Sequence, residues 1–312
     1  MRKSVSYYVE KYRPIIILVV FMIAISIMRP EFLQPSNLSN VLRQTSVNAI
    51  IAAGMSFAIL TGGIDISVGS TLAFSGAVSA YMVLNNYNII VVILVTLTIG
   101  VIAGAMNGLF ITKFKLQPFI VTLATMTIFR GMTTVFTQGR PISFKSEGTG
   151  IMYRFIGKES LFGIPIPIII MVVVYILGYY LLNHTSFGRY IYAIGCNEDA
   201  AHLSGINTKK VKFMAYVING CLAALAAIIV TARLSSAQPT AGDGYELDAI
   251  AAVVLGGTSL AGGRGKITGT IIGAMIIGML SNALNLMDVS SYYQTIIKGL
   301  VILVAVLLDR EK

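Results

Sequence analysis

The sequence predicts an all-α polytopic membrane protein with about ten transmembrane helices, some of them short or broken. Hydrophobic residues make up 56% of the 312-residue chain and charged residues 12%, with a mean hydropathy of +0.81. A soluble domain carries roughly a quarter charged residues. Apolar runs recur along the chain at lengths near the about 20 residues that a helix needs to cross a hydrocarbon core about 30 Å thick. Lys and Arg are divided unevenly between alternate connecting segments, the pattern that orients a membrane protein.

The first run, 14–28, follows a polar segment, 1–13, and stops at Arg29-Pro30-Glu31. It lacks the small-residue cleavage site of a secretory signal and reads as a retained anchor. Nine further runs follow at 46–60, 64–84, 89–111, 119–136, 164–182, 211–231, 247–256, 267–286 and 293–308. Three of the ten (14–28, 46–60 and 247–256) are short, and the last is short enough for a broken or re-entrant helix, so nine or eight crossings stay open. The whole chain, 1–312, reads as one transmembrane domain.

With the amino terminus inside, ten crossings place 1–13, 61–63, 112–118, 183–212, 257–266 and 309–312 on the cytoplasmic side. Fourteen Lys and Arg then lie inside and seven outside, with Arg130 and Lys298 within predicted helices. The net charge of +10 is mainly this orientation signal. Nucleic acid is not an expected partner, since no soluble segment carries a basic stripe interleaved with aromatics. Cys196 falls in an inside loop and Cys221 in a helix, so no disulfide is expected, and neither has a second ligand at metal-binding spacing.

No cofactor is expected. The nearest approach to a phosphate loop, Gly262-Gly263-Arg264-Gly265-Lys266-Ile267, has Ile where magnesium needs Ser or Thr, and Ala261 where the loop needs Gly. It reads as a glycine-rich turn. No HExxH, no G-x-S-x-G and no paired intramembrane carboxylates occur, so a membrane enzyme has little support. A proton-coupled carrier needs ionisable residues deep in the bilayer, where a charge costs about 2.5–3.5 kcal/mol. Asp65 reads either as such a residue or as a helix cap near the interface, and Arg130 and Lys298 are expected to snorkel from near helix ends.

One polar island, Gly188 to Lys210, interrupts the second half of the chain. A membrane protein keeps such an island for a soluble partner or a substrate. Within it Asn197 caps a short helix, Glu198 and Asp199 suit the positive end of its dipole, and Gly205 ends it. The segments GMSFAILTGGIDISVGS (54–70), LQPFIVTLATMTIFRG (116–131), GRYIYAIGCNEDAAHLSGIN (188–207) and ARLSSAQPTAGDGYELDAIAAVVLGGTSLAGGRGKITGT (232–270) resemble the permease subunits of sugar ABC importers, over about 34–309. SSAQPTAG and VSSYYQ (289–294) are similar to the ribose-type branch. One departure is Cys196, where relatives carry Gly beside the Asn, which touches local turn geometry.

The resemblance implies the ABC importer permease fold and four partners: a second copy, a cytoplasmic ABC ATPase, an extracytoplasmic sugar-binding protein and the lipid bilayer of a bacterial inner membrane, with both termini cytoplasmic. It makes the loop 183–210 the coupling loop, with Asn197, Glu198, Ala200, Ala201, Leu203, Ser204 and Gly205 meeting the ATPase, the small residues admitting a close surface. An ordinary amphipathic loop helix is the plainer reading. The outside loop 137–163, with Arg233 to Glu246, becomes the docking face for the binding protein, through Arg140, Lys145, Arg154 and Arg233. Each of these also reads as a solvated charge. A neutral sugar needs hydroxyl-compatible groups along its path: Gln44, Asn48, Asp65, Asn107, Thr122 and Thr125, with Asn219, Asn282 and Asn285 as further candidates. Each polar one also reads as interhelical glue worth about 0.6 kcal/mol. Gly100, Gly104 and Gly108, and Gly269 with Gly273, present small faces for packing within the chain. Gly-Gly pairs at 62–63 and 256–257 point to a duplicated helix-break-helix unit without establishing one. A self-sufficient secondary transporter or channel for a small polar solute is the competing reading.

Overall fold

The computed structural model describes residues 5–310. Helices α1 (Val5–Met28), α2 (Pro35–Leu60), α3 (Val68–Leu84), α4 (Ile89–Lys113) and α5 (Pro118–Thr137) follow in order, with a 3-10 turn at Pro30–Leu33. A surface layer comes next: β1 (Ile142–Ser143), α6 (Thr149–Lys158) and a hairpin of β2 (Ser160–Leu161) and β3 (Ile164–Pro165). Then come α7 (Ile166–His184), α8 (Ser186–Cys196), α9 (Glu198–Leu203), α10 (Thr208–Leu234), β4 (Ser236–Ala237), α11 (Tyr245–Leu255), α12 (Ile267–Leu286) and α13 (Ser291–Arg310). The ten apolar runs map one to one onto α1–α5, α7 and α10–α13. Among the described residues, α4, α5, α7, α10 and α12 are by length and composition alone able to cross a membrane.

Three expectations change. The amino-terminal segment 1–13 is helical from Val5, and residues 1–4 lie outside the described residues. The run 46–60 is only the inner part of a 26-residue helix that starts on Pro35, the first-turn position where proline costs no hydrogen bond. Ser36, Asn37, Ser39, Asn40, Arg43 and Gln44 dilute the hydropathy of its first half. The third change is in the run 64–84, whose first residues are not helical: the chain leaves α2 at Thr61 and restarts a helix only at Val68.

Contacts fix two ends of the bundle. At the α9 end, Gly263 N donates to Leu60 O (3.0 Å), and Gly195 packs on the same carbonyl. At the α6 end, Asn86 packs on Gly148, Gly157 on Arg233, and β1 pairs with β4. Thus α2 runs toward the α9 end, breaks at 61–67, and α3 returns toward the α6 end. Helix α10 runs the opposite way, breaks at 235–244, and α11 returns toward the α9 end. Each broken pair is followed by two long helices, and the packing repeats: α10 lies on α4 and α3 as α2 lies on α12 and α11. The duplication is therefore real, with inverted direction. Its matched breaks are 61–67 and 235–244, whereas Gly256-Gly257 belongs to the tight connection from α11 to α12.

The first turns of α3 and the chain entering α11 meet inside the bundle, where a Cβ on Gly69 would stand 2.2 Å from Gly242 O. Helix α10 is the hub. Its Ala215, Ala223, Ala224, Ala226 and Ala227 are fully buried, and small residues let α4 approach its backbone. A Cβ on Gly100 would lie 2.3 Å from Gly220 O, and one on Gly104 2.2 Å from Tyr216 O. Gly269 and Gly273 do the same for α12 on α11. These faces serve packing within the chain, as expected.

Gly104→Leu forces α4 off α10 and is expected to lower the thermal unfolding midpoint in detergent by the equivalent of about 2 kcal/mol or more. Gly131→Leu, at a position on α5 with open space around it, is expected to leave the midpoint in place.

Candidate functional site

At the α9 end, Asn197 Oδ1 accepts from Ala200 N (2.9 Å), the cap read from the sequence. Gly205, at φ +84°, closes the helix, with Gly205 N donating to His202 O (3.0 Å) and Ile206 N to Ala201 O (3.1 Å). Glu198 pairs with Lys212 on α10. Glu198, Ala200, Leu203, Ser204 and Gly205 are exposed, Leu203 to 87%. Ala201 is not: at 5% exposure it packs against its own bundle and is corrected from a partner contact to an anchor of α9. The polar loop 183–210 also contains α8, whose apolar Phe187, Ile191 and Ile194 recur at helical spacing. Tyr192 Oη of α8 donates to Gly265 O (3.1 Å), tying it to the glycine-rich turn. Cys196 and Cys221 are free thiols, as expected.

At the α6 end the loop 137–163 is ordered by α6 and the two small sheets. Arg140 and Lys145 are exposed and Arg154 partly so. Arg233 departs from the docking expectation. It turns inward to wall a cavity of about 560 Å³ with Ser39, Asn40, Arg43, Gln44 and Lys158, and its Nη1 is buried without a partner in the chain. Arg43 donates to Lys158 O and to Ser160 Oγ (3.0 Å), bridging α2 to the surface layer. Burial keeps the Tyr153 hydroxyl of α6 protonated well beyond its usual range, and it donates to Ser79 Oγ (2.9 Å).

The expected path residues separate into groups. Gln44 opens on the cavity just described. Asp65, Asn107 and Thr122 gather at the first break. Asp65 Oδ1 accepts from Ser67 N (2.9 Å) and Ser67 Oγ (2.6 Å), and Oδ2 from Asn219 Nδ2 (2.9 Å). Asn107 Nδ2 donates to Ser67 Oγ (2.9 Å) and stands 3.4 Å from both carboxylate oxygens. Thr122 Oγ1 reaches Ile64 O (3.4 Å), while Thr125 bonds only to its own helix. Asp65 does cap the turn into α3, but at 1% exposure it does so in the bundle interior, not at an interface. Asn48 belongs to a third group, donating to Asp248 Oδ2 (3.3 Å), which also takes Lys298 Nζ (2.8 Å).

Asn37 and Asn282 exchange reciprocal hydrogen bonds (3.1 and 2.9 Å) between α2 and α12, which is the glue reading; Asn285 accepts from Gln294 (2.8 Å). Neither intrahelical cation snorkels. Lys298 holds Asp248, and Arg130 donates to Pro239 O and Ala241 O (both 2.9 Å) and pairs with Asp243. Sequence reasoning passed over Asp248; its signal was a carboxylate inside the run 247–256 opposite a lysine inside 293–308.

Residues 37–306 match the family model described as "Branched-chain amino acid transport system / permease component". The chain belongs to this family. The permease is 53% identical to the "Ribose import permease protein RbsC" of Haemophilus influenzae, covering 98% of this chain and 95% of that one. It is 54% identical to the protein of the same name in Bacillus subtilis (97% and 94% covered) and 38% identical to the "D-allose transport system permease protein AlsC" of Escherichia coli K12 (96% and 92%). No solved structure matches. The permease is thus a polytopic membrane transport component.

Removing one member of the Asp248–Lys298 pair strands the other in the bundle, a loss of about 3 kcal/mol or more. In detergent, Lys298→Ala is expected to unfold at a lower temperature than the Asp248→Ala/Lys298→Ala double variant.

Proposed function

We propose that this permease is the membrane-spanning subunit of an ATP-driven, binding-protein-dependent importer of ribose. The observation that carries this reading is identity above 50%, over nearly the full length, to proteins named ribose import permeases from two distant bacteria. The words "branched-chain amino acid" in the family description do not oppose it, because the 38% identical relative is named for another sugar, allose. In this reading two copies of the chain form the translocation unit in the bacterial inner membrane, and a separate ATPase supplies the energy. The α9 end faces the cytoplasm with both termini, and the α6 end faces the binding protein.

The exposed, capped α9 supports the assignment of the ATPase contact. It offers a fixed ledge with a protruding Leu203, and its outward surface is built by Glu198, Ala200, Ser204 and Gly205. Arg140, Lys145 and Arg154 on the opposite end suit carboxylates on a docking protein. A neutral sugar carries no charge to be paired, and in this scheme the delivering protein selects it.

The competing reading, a carrier driven by an ion gradient, gains one observation: Asp65 and the Asp248–Lys298 pair are ionisable groups inside the bundle. Reconstitution separates the two. Vesicles holding the permease, its ATPase and the sugar-binding protein are expected to accumulate labelled ribose only with ATP. Accumulation by the permease alone under a proton gradient refutes the importer. Leu203→Asp is expected to weaken ATPase association and import at least roughly tenfold, the effect of burying an unpaired carboxylate at an interface. Ala201→Leu is expected instead to lower the amount of folded protein.

A further inference from the structure

Among the ionisable residues of the bundle, Arg130 and Asp243 are the anomaly. Arg130 is the thirteenth residue of the 20-residue α5, so helical rise puts it about 10 Å below the α6 end of a span about 30 Å long. Ring contacts hold α5 alongside α3, with Phe74 against Phe129 (5.8 Å) and Phe136 (6.3 Å) and Tyr81 against Phe136 (5.5 Å). Asp243 sits at the same level through its pairing with Arg130, and Gly242 beside it touches Gly69 in the first turn of α3. Yet the Asp243 side chain is 61% exposed and that of Arg130 26%. Glu246, one turn on, is only partly buried, its carboxylate against Gly69. A carboxylate facing hydrocarbon at this depth is strongly disfavoured, so intramembrane charges face a bundle interior or water. The interior of this chain does not cover Asp243.

We propose that Arg130, Asp243 and Glu246 form a charged collar facing a water-filled passage in the assembled transporter, and that the hydroxyl groups of the solute exchange hydrogen bonds with it in transit. Carboxylate oxygens accept from sugar hydroxyls and a guanidinium donates to them, so the collar suits a neutral polyol. The N-termini of α3 and α11 converge beside it and add donor amides. Only the identity of the solute rests on the proposed import of ribose.

The test uses the permease with its ATPase and binding protein in vesicles, with Cys196→Ser and Cys221→Ala as background. During turnover, a charged, membrane-impermeant thiosulfonate is expected to label Asp243→Cys and to leave Leu94→Cys, on the apolar face of α4, unlabelled. Labelling of position 243 only by a lipid-soluble maleimide, or by neither reagent while ATP is still hydrolysed, overturns the passage. Asp243→Asn is expected to slow import of labelled ribose roughly tenfold, the loss of a charged hydrogen-bond partner, with Asp243→Glu restoring most of it. Import unchanged in the Asn variant overturns the solute contact. If the unsubstituted assembly imports no ribose but position 243 labels, the sugar assignment falls and the passage stands.

Discussion

Non-helical backbone inside a membrane bundle has to find its hydrogen bonds away from lipid, and the structure turns on how two such stretches do so. At 61–67 the amides of Thr61, Gly62 and Gly63 bond back to carbonyls at the end of α2, and side chains supply further partners. Asp65 takes the Ser67 amide and hydroxyl, Thr122 reaches the Ile64 carbonyl, and Asn107 and Asn219 hold the carboxylate from α4 and α10. At 235–244 the local turns supply some bonds, as Ala241 N to Gln238 O (3.0 Å), and the Arg130 guanidinium takes the carbonyls of Pro239 and Ala241. Each break is therefore held partly by its own residues and partly by side chains reaching in from neighbouring helices. The clamps explain why this oily protein keeps Asp65, Arg130 and two asparagines where every polar group is costly.

Breaking two helices brings the amino-terminal ends of α3 and α11 together in the interior, with glycines at the crossing because a Cβ on either chain would strike the other backbone. Amide groups and the positive ends of two helix dipoles are thereby concentrated in one region, and carboxylates collect around them: Asp65, Asp243, Glu246 and Asp248. Arg130 and Lys298 complete the balance from α5 and α13, each about 10 Å below the same end of the bundle. The inverted duplication accounts for this pairing, since α5 and α13 hold equivalent places in the two halves.

The link from the α9 ledge to this interior runs through α10. The Glu198–Lys212 pair is partly exposed, and such pairs contribute about 0–1 kcal/mol, so it is a minor tie. Buried Ala201, Thr208 and Val211 and the Ile206 N to Ala201 O bond hold the corner more firmly. Eight to twelve residues further along α10, Asn219 grips Asp65 and Gly220 lies on Gly100. Helix α10 is thus a continuous packed element from the α9 corner past the first helix break, which it meets at Asn219.

Composition alone determined the solvent of this protein, and the spacing of its apolar runs determined the helix order, because both depend on local content: how many apolar residues stand in a row. The cap at Asn197 and the stop at Gly205 were legible for the same reason, since capping groups lie within three residues of what they bind. The full length of α2 was obscured by the polar residues of its first half, and α8 by the polar residues interleaved with its apolar stripe. What tertiary structure decided was partnership across long chain distances: Asp65 with Asn219, Asp248 with Lys298, Arg130 with the carbonyls before α11, and Ala201 turned inward. Those pairings follow from which helices become neighbours once two of them break and invert, and no local window of sequence contains that information.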